Sequence, residues 1–358
     1  MNFECMKTPI VPFFIPYHGC PHRCVFCNQQ AQTGARPELP DAAAVVATVD
    51  ACRTRSGCDS PEVAFYGGTF TALPRTEQER LLAPLQPLLQ EGRVSAVRVS
   101  TRPDAVTPEG VAFLRESGVA TVELGVQSMD DNVLAAAGRG HTARDTVAAC
   151  RTLREAGMRV GLQLLPGLPG DTPESSRSSL TEVLALAPNF LRIYPLLVLN
   201  GTPLAGSYRS GGFIPWSLAE AVSLCKQLLH RSEQAGVPVI RLGVQATDEL
   251  AAPGTILAGP WHPAFRQLVE GERWFDLVAT LTGTLLPETG VELSVPRGRL
   301  SDLVGQRRVN VARWGEQCRI RVDRVGEDPS LGPGECLVRW DGGERLGSLL
   351  RDLVYGAS

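Results

Sequence analysis

The first 245 residues alternate short apolar strands with amphipathic helices, and this alternation restricts the fold more than any other feature of the chain. Strand patterns fall at 10–17, 62–66, 95–101, 120–125, 159–165, 191–197 and 237–242. Helix-period stretches separate them at 41–53, 76–90, 108–117, 143–156, 173–187 and 217–235. Thr107 before Pro108 and Thr172 before Pro173 each pair an N-cap with a first-turn proline. Gly118, Gly157 and Gly236 stand where a left-handed C-cap precedes a strand. A repeated strand–helix unit builds a parallel sheet with helices outside it. The expected fold is α/β, a partial (β/α)6-type parallel barrel over 1–245, with functional residues at the C-terminal ends of its strands. An open doubly wound sheet is the alternative.

Beyond 245 the pattern changes. Residues 246–290 read as a connecting helical segment, with a helix near 264–280. Residues 291–358 read as a small α+β domain in the order strand, helix, helix, strand, strand, helix, the last helix spanning 344–355. Hydrophobic residues make up 43% of the 358 and charged ones 20%, a globular balance. No apolar run approaches the ~18 residues that a spanning helix needs. Pro9, Pro12 and Pro16 interrupt the apolar N-terminus, which therefore does not read as a signal peptide. The expectation is a cytoplasmic protein with no membrane partner.

Ten cysteines are many for a reducing compartment, where disulfides are disfavoured and a tight cluster points to metal. Cys20, Cys24 and Cys27 crowd into eight residues after the first strand, while Cys5, Cys52, Cys58, Cys150, Cys225, Cys318 and Cys336 are scattered. Thiolates at such short spacing converge on one centre. In a four-iron cube, three cysteines leave one iron open to a small molecule that binds through nitrogen and oxygen. Structural zinc, with His18 or His22 as fourth ligand, is the competing reading. The scattered cysteines show no spacing for a second centre and are expected to pack as small hydrophobes.

The Cys-x3-Cys-x2-Cys spacing, with Phe26 before the third cysteine, resembles the signature of radical S-adenosylmethionine (radical SAM) enzymes. The resemblance implies a [4Fe-4S] cluster at Cys20, Cys24 and Cys27, with S-adenosyl-L-methionine on its open iron. It further implies reductive cleavage to a 5′-deoxyadenosyl radical, and an external electron donor such as flavodoxin or ferredoxin. By position, Phe26 matches the aromatic near the adenine, and Gly67-Gly68-Thr69 matches the glycine motif around the methionine amino group. Ser100, Gln127 and Gln163 match polar positions toward the ribose or methionine, and Arg139 matches a partner for the methionine carboxylate. Within the superfamily the chain is similar to the radical SAM domain of the Elongator catalytic subunit. The matching stretches include Tyr66-Gly-Gly-Thr-Phe70, Thr101-Arg-Pro-Asp104, Val122–Ser128, Arg139-Gly-His141 and residues 191–202. That likeness implies an RNA substrate and makes Tyr194 the residue expected to face it. Residues 246–358 show no acetyl-coenzyme-A loop, so only the radical-generating half of the Elongator reaction is expected.

Residues 296–325 carry eight arginines against three acids, a local +5 within a chain of net charge −3. The segment 300–314 resembles the helix–Gly-x-x-Gly–helix of a KH domain, which clamps a nucleotide backbone. Gly305 matches its first glycine, but Arg308 stands at the second, and Arg307 and Arg308 offer charge where glycine would allow close approach. The resemblance implies RNA contact through Gly305, Arg307 and Arg308, against a solvated basic face as the alternative. Two further functional classes stand beside the RNA-acting enzyme. One is a radical SAM enzyme for a small carboxylated metabolite, resembling the oxygen-independent coproporphyrinogen oxidases. The other is a metal-stabilised RNA-binding module without catalysis.

Overall fold

The computed structural model describes residues 8–21, 23–35 and 38–356; Cys5 and His22 lie outside them. Thirteen strands occur among these residues. They are β1 Ile10–Phe14, β2 Glu62–Tyr66, β3 Ala96–Thr101, β4 Val119–Gln127, β5 Arg159–Leu164, β6 Phe190–Ile193 and β7 Val198–Leu199, followed by β8 Val239–Leu242, β9 Ile256–Ala258, β10 Gly290–Val295, β11 Arg321–Glu327, β12 Glu335–Trp340 and β13 Gly343–Ser348. The large sheet has the order β1-β2-β3-β4-β5-β6-β8, a curled half-barrel of the α/β class. Each neighbouring pair from β1 to β6 is parallel. Strand follows helix as the sequence requires, and Gly118, Gly157 and Gly236 take φ of 78°, 73° and 72° at the helix ends. Thr107 and Thr172 cap their helices by accepting from the backbone N–H of Gly110 and Ser175.

The 76–90 helix pattern is broken in two, Arg75–Leu82 and Leu85–Gln90. Pro84 and Pro87 cannot donate to the helix ladder, which interrupts it although Ala83 and Pro84 keep right-handed helical angles.

The chain divides into two compact units, 1–215 with 245–259 and 216–244 with 260–358. The second has its own four-stranded sheet, β11-β10-β12-β13, with β10 and β11 parallel. Helix Phe265–Thr282 supplies Trp274, Leu277, Val278 and Leu281 to a core shared with Val291, Leu293, Val295, Trp314 and Val338. The sequence order predicts a final helix over 344–355, and the structure instead has β13 there. Trp340 pairs with Gly343 across Asp341-Gly342, a two-residue hairpin loop whose Asp-Gly is a strong turn signal. Pairing to β12 satisfies the backbone of 343–348 and overrides its helical periodicity.

Candidate active site

The strands β1 to β6 show why the sheet carries chemistry. One set of alternating residues is apolar and buried, including Val63, Phe65, Val97, Val99, Val122, Leu124, Leu162 and Ile193, and suits the helix layer. The opposite set carries Glu62 and Tyr66 on β2, Arg98 and Ser100 on β3, Glu123 on β4, Gln163 on β5 and Arg192 on β6. A parallel strand buried on both faces normally reads as a continuous apolar run. Four strands here each insert a charge. Those charges pair: Arg98 reaches Glu62 at 2.6 Å and Glu123 at 2.7 Å, and Arg192 reaches Glu123 at 2.7 Å.

Beyond β1 the chain turns and enters the cysteine loop. Gln29 holds the turn, its Oε1 accepting from the backbone N–H of Tyr17 at 2.7 Å and of Gly68 at 3.0 Å. Gly67 and Gly68 have φ of 75° and 54°, and a Cβ on Gly68 would lie 2.4 Å from the His18 carbonyl oxygen and 2.5 Å from that of Ile15. Only glycine fits there. The Gly67-Gly68 strap therefore supports the cysteine loop from beneath. Thr69 follows, fully buried, with Oγ1 3.4 Å from Cys20 Sγ and its N–H donating to the His18 carbonyl at 2.7 Å.

Cys24 is buried, and the Cys27 N–H donates to its carbonyl at 3.1 Å. Burial, then the adjacent Cys24 thiol and more weakly Cys20, push the Cys27 thiol up to about 12. The three sulfurs thus share one electrostatic neighbourhood. Arg139 enters it from the turn after helix Asp131–Ala136, donating from Nη1 to Cys24 Sγ at 3.2 Å and from Nη2 to the Gly125 carbonyl at 2.6 Å. Three thiols with a guanidinium beside one of them are a donor set that suits an iron–sulfur cluster and its net negative charge. The donor set fits that group.

The remaining positions singled out in the sequence sit at or near the same strand ends. Gln127 is buried at the end of β4 with φ 71°, a left-handed backbone that a side chain adopts only at a cost of about 1–2 kcal/mol. Its Oε1 lies 3.5 Å from Gln163 Nε2. Ser100 is half-buried on β3 in register with Glu123. Phe26 and Tyr194 pack on one apolar cluster with Leu165, Leu168, Leu196 and Val198. The glycine strap, Thr69, Arg139 and the three cysteines come together at one place. Sequence reading missed Gln29 and Tyr17, and it missed the Glu62–Arg98–Glu123–Arg192 network. A lone charge in each of four apolar strands was the signal for the network, since a buried charge needs a partner.

The radical SAM superfamily profile matches residues 14–181, and the Radical_SAM C-terminal domain profile matches 188–274. The chain belongs to the radical SAM superfamily. It is a radical SAM enzyme, and the cofactors of that superfamily are a [4Fe-4S] cluster and S-adenosyl-L-methionine. The chain is 33% identical over 135 residues to the tRNA uridine(34) acetyltransferase of Methanocaldococcus infernus, covering 37% of this chain and 25% of that protein. It is 26% identical over 363 residues to human Elongator complex protein 3, covering 88% of this chain and 64% of that one. The chain therefore spans less than two thirds of the length of either relative. Among solved structures, the archaeal M. infernus Elp3 with an N-terminal deletion superposes with a TM-score of 0.56 at 22% identity, over 73% of this chain and 61% of that one, and shares the fold. No helix among the described residues is long and apolar enough to cross a membrane.

Proposed function

We propose that Cys20, Cys24 and Cys27 ligate three irons of a [4Fe-4S] cluster, that S-adenosylmethionine lies against Phe26, Gly67, Gly68, Thr69, Ser100, Gln127, Arg139 and Gln163, and that Tyr194 faces an RNA substrate. When bound, these cofactors supply a 5′-deoxyadenosyl radical for hydrogen abstraction. The residues of the chain do the rest. Arg139 places a positive charge at Cys24, the glycine strap fixes the loop, and the apolar cluster under Phe26 and Tyr194 keeps water from the strand ends. The convergence of three thiols with Arg139 and the glycine strap is the observation that carries this reading.

RNA is favoured over a small carboxylated metabolite because the interior guanidiniums, Arg98 and Arg192, are already engaged by Glu62 and Glu123. The relatives' names support it, since one modifies tRNA uridine. The turn Gly305–Arg308 gives RNA a second contact. Gly305, Arg307 and Arg308 have φ of 69°, 52° and 60°, so both arginines hold a left-handed backbone that favours glycine. Both arginines are exposed, and buried Asn310 pins the turn by donating to the Gly271 and Leu303 carbonyls at 2.8 and 3.0 Å. Backbone strain retained under exposed charge is typical of binding sites. Reduction would come from a flavodoxin or ferredoxin in the cytoplasm.

The test is 5′-deoxyadenosine formation by reconstituted, reduced protein with and without bulk tRNA. An increase that nuclease abolishes is expected. Equal rates with and without RNA would remove the RNA reading. Arg307→Ala with Arg308→Ala should weaken tRNA binding and flatten its salt dependence by about 1.4 in log–log slope, at roughly 0.7 per phosphate lost.

A further inference from the structure

Arg192 spreads its guanidinium over three partners. Nε lies 2.7 Å from Glu123 Oε2, and Nη2 donates to Glu123 Oε1 at 3.1 Å and to the Tyr66 hydroxyl at 3.0 Å. Nη1 donates to the Tyr194 hydroxyl at 3.2 Å. Arg98 holds Glu123 from the other side at 2.7 Å and is itself held by Glu62 at 2.6 Å. Two guanidiniums and two carboxylates thus form a neutral chain that ends on two phenols.

Such a chain is a poor way to stabilise a sheet. Replacing a buried ion network with apolar residues of similar volume is often neutral or stabilising. A planar guanidinium fork does something apolar packing cannot: it fixes the direction of every group it touches. Both phenol oxygens accept from Arg192, so each hydroxyl hydrogen must point elsewhere. That of Tyr66 points to Glu123 Oε1 at 3.4 Å. Tyr194 lies one step beyond β6, toward the strand ends that carry the cysteine loop.

We infer that Arg192 is a positioning residue: clamped by Glu123, it sets the orientation of the Tyr194 phenol toward the substrate, with Tyr66 as the second arm of the clamp. This rests on the reading of Tyr194 as the substrate-facing residue. Lysine at 192 keeps the charge but, as a point donor, cannot serve a bidentate carboxylate and two phenols together.

The test is a double-mutant cycle of Arg192→Lys and Tyr194→Phe, read on kcat and KM of tRNA-dependent 5′-deoxyadenosine formation, or on the basal rate if RNA has no effect. Each single variant should lose about tenfold to a hundredfold in kcat with little change in KM, the scale of a misplaced catalytic group. The double variant should be no slower than the slower single one. A second readout needs no turnover. With tyrosine labelled at Cζ, the spectrum of the resting protein carries five resonances. Arg192→Lys should move those of Tyr66 and Tyr194, assigned through Tyr66→Phe and Tyr194→Phe, and leave the others in place. Wild-type turnover in Tyr194→Phe would remove the Tyr194 reading and the role of Arg192 with it. A slow Tyr194→Phe beside multiplicative losses, or beside unmoved resonances in Arg192→Lys, would leave Tyr194 standing and overturn the inference for Arg192 alone.

Discussion

Gly68→Ala tests whether the glycine strap supports the cysteine loop. At φ 54° an alanine pays about 1–2 kcal/mol for the left-handed backbone. Its Cβ would also lie 2.4 and 2.5 Å from the carbonyl oxygens of His18 and Ile15, backbone atoms that can yield only by shifting the loop. Overpacking of that kind costs about 1–3 kcal/mol, for a total of about 2–5 kcal/mol. For a folded unit of this size each kcal/mol lowers Tm by about 2–4 °C, so the melting point should fall by roughly 4–20 °C. Gly57→Ala is the control. Its φ is 65°, but nothing lies within 4 Å of its Cβ, so only the left-handed term applies. In both variants about 0.4–1 kcal/mol from a stiffer unfolded chain offsets part of the loss, so the difference between them is the collision alone. Scanning calorimetry of the two variants, with iron content measured after reconstitution, separates strain from collision. Gly68→Ala should melt well below Gly57→Ala and retain less iron. Equal melting points would refute the claim that the strap bears on the loop.

Glu123→Leu leaves Arg192 without its clamp and Arg98 with Glu62 alone; a broken buried pair costs about 3–5 kcal/mol, and urea unfolding should report a loss of that order. His141 is buried, with Nε2 3.2 Å from the Val126 carbonyl, and burial, then Arg139 and Arg102, lower it to about 4. A histidine held below its unfolded value near 6.5 stabilises the fold fully above that value and loses the contribution as pH falls from about 6.5 toward 4, by about 3 kcal/mol in all. His141→Gln should flatten stability across that window, and an unchanged pH profile would contradict the assignment. Arg307→Gly with Arg308→Gly should relieve left-handed strain and hold or raise Tm while weakening tRNA binding; a variant that both melts lower and binds tRNA as tightly would contradict the account of that turn.

Much of this was legible because each feature has a local cause. The barrel follows from the strand–helix repeat, and the cysteine loop follows from spacing within eight residues. What escaped depends on contacts distant in sequence. Arg192 meets Tyr66 across 126 residues, and Arg139 meets Cys24 across 115. A lone charge in an apolar strand calls for a partner without naming the strand that supplies it. The last helix fails for a different reason: residues 344–355 have helical periodicity, but Asp341-Gly342 closes a hairpin, and pairing to β12 decides the outcome. Gly67-Gly68 follows directly on β2, as the strand pattern at 62–66 predicts. Its role beneath the cysteine loop emerges only from the approach of Ile15 and His18 to Gly68.

The most direct test is iron and sulfide content together with 5′-deoxyadenosine formation, measured anaerobically on the wild-type chain and on Cys20→Ala, Cys24→Ala and Cys27→Ala. The account predicts about four irons and four sulfides per wild-type chain, as a four-iron cluster requires, with turnover abolished in all three variants. A colourless, zinc-containing wild type, or a variant that still forms 5′-deoxyadenosine, would contradict it.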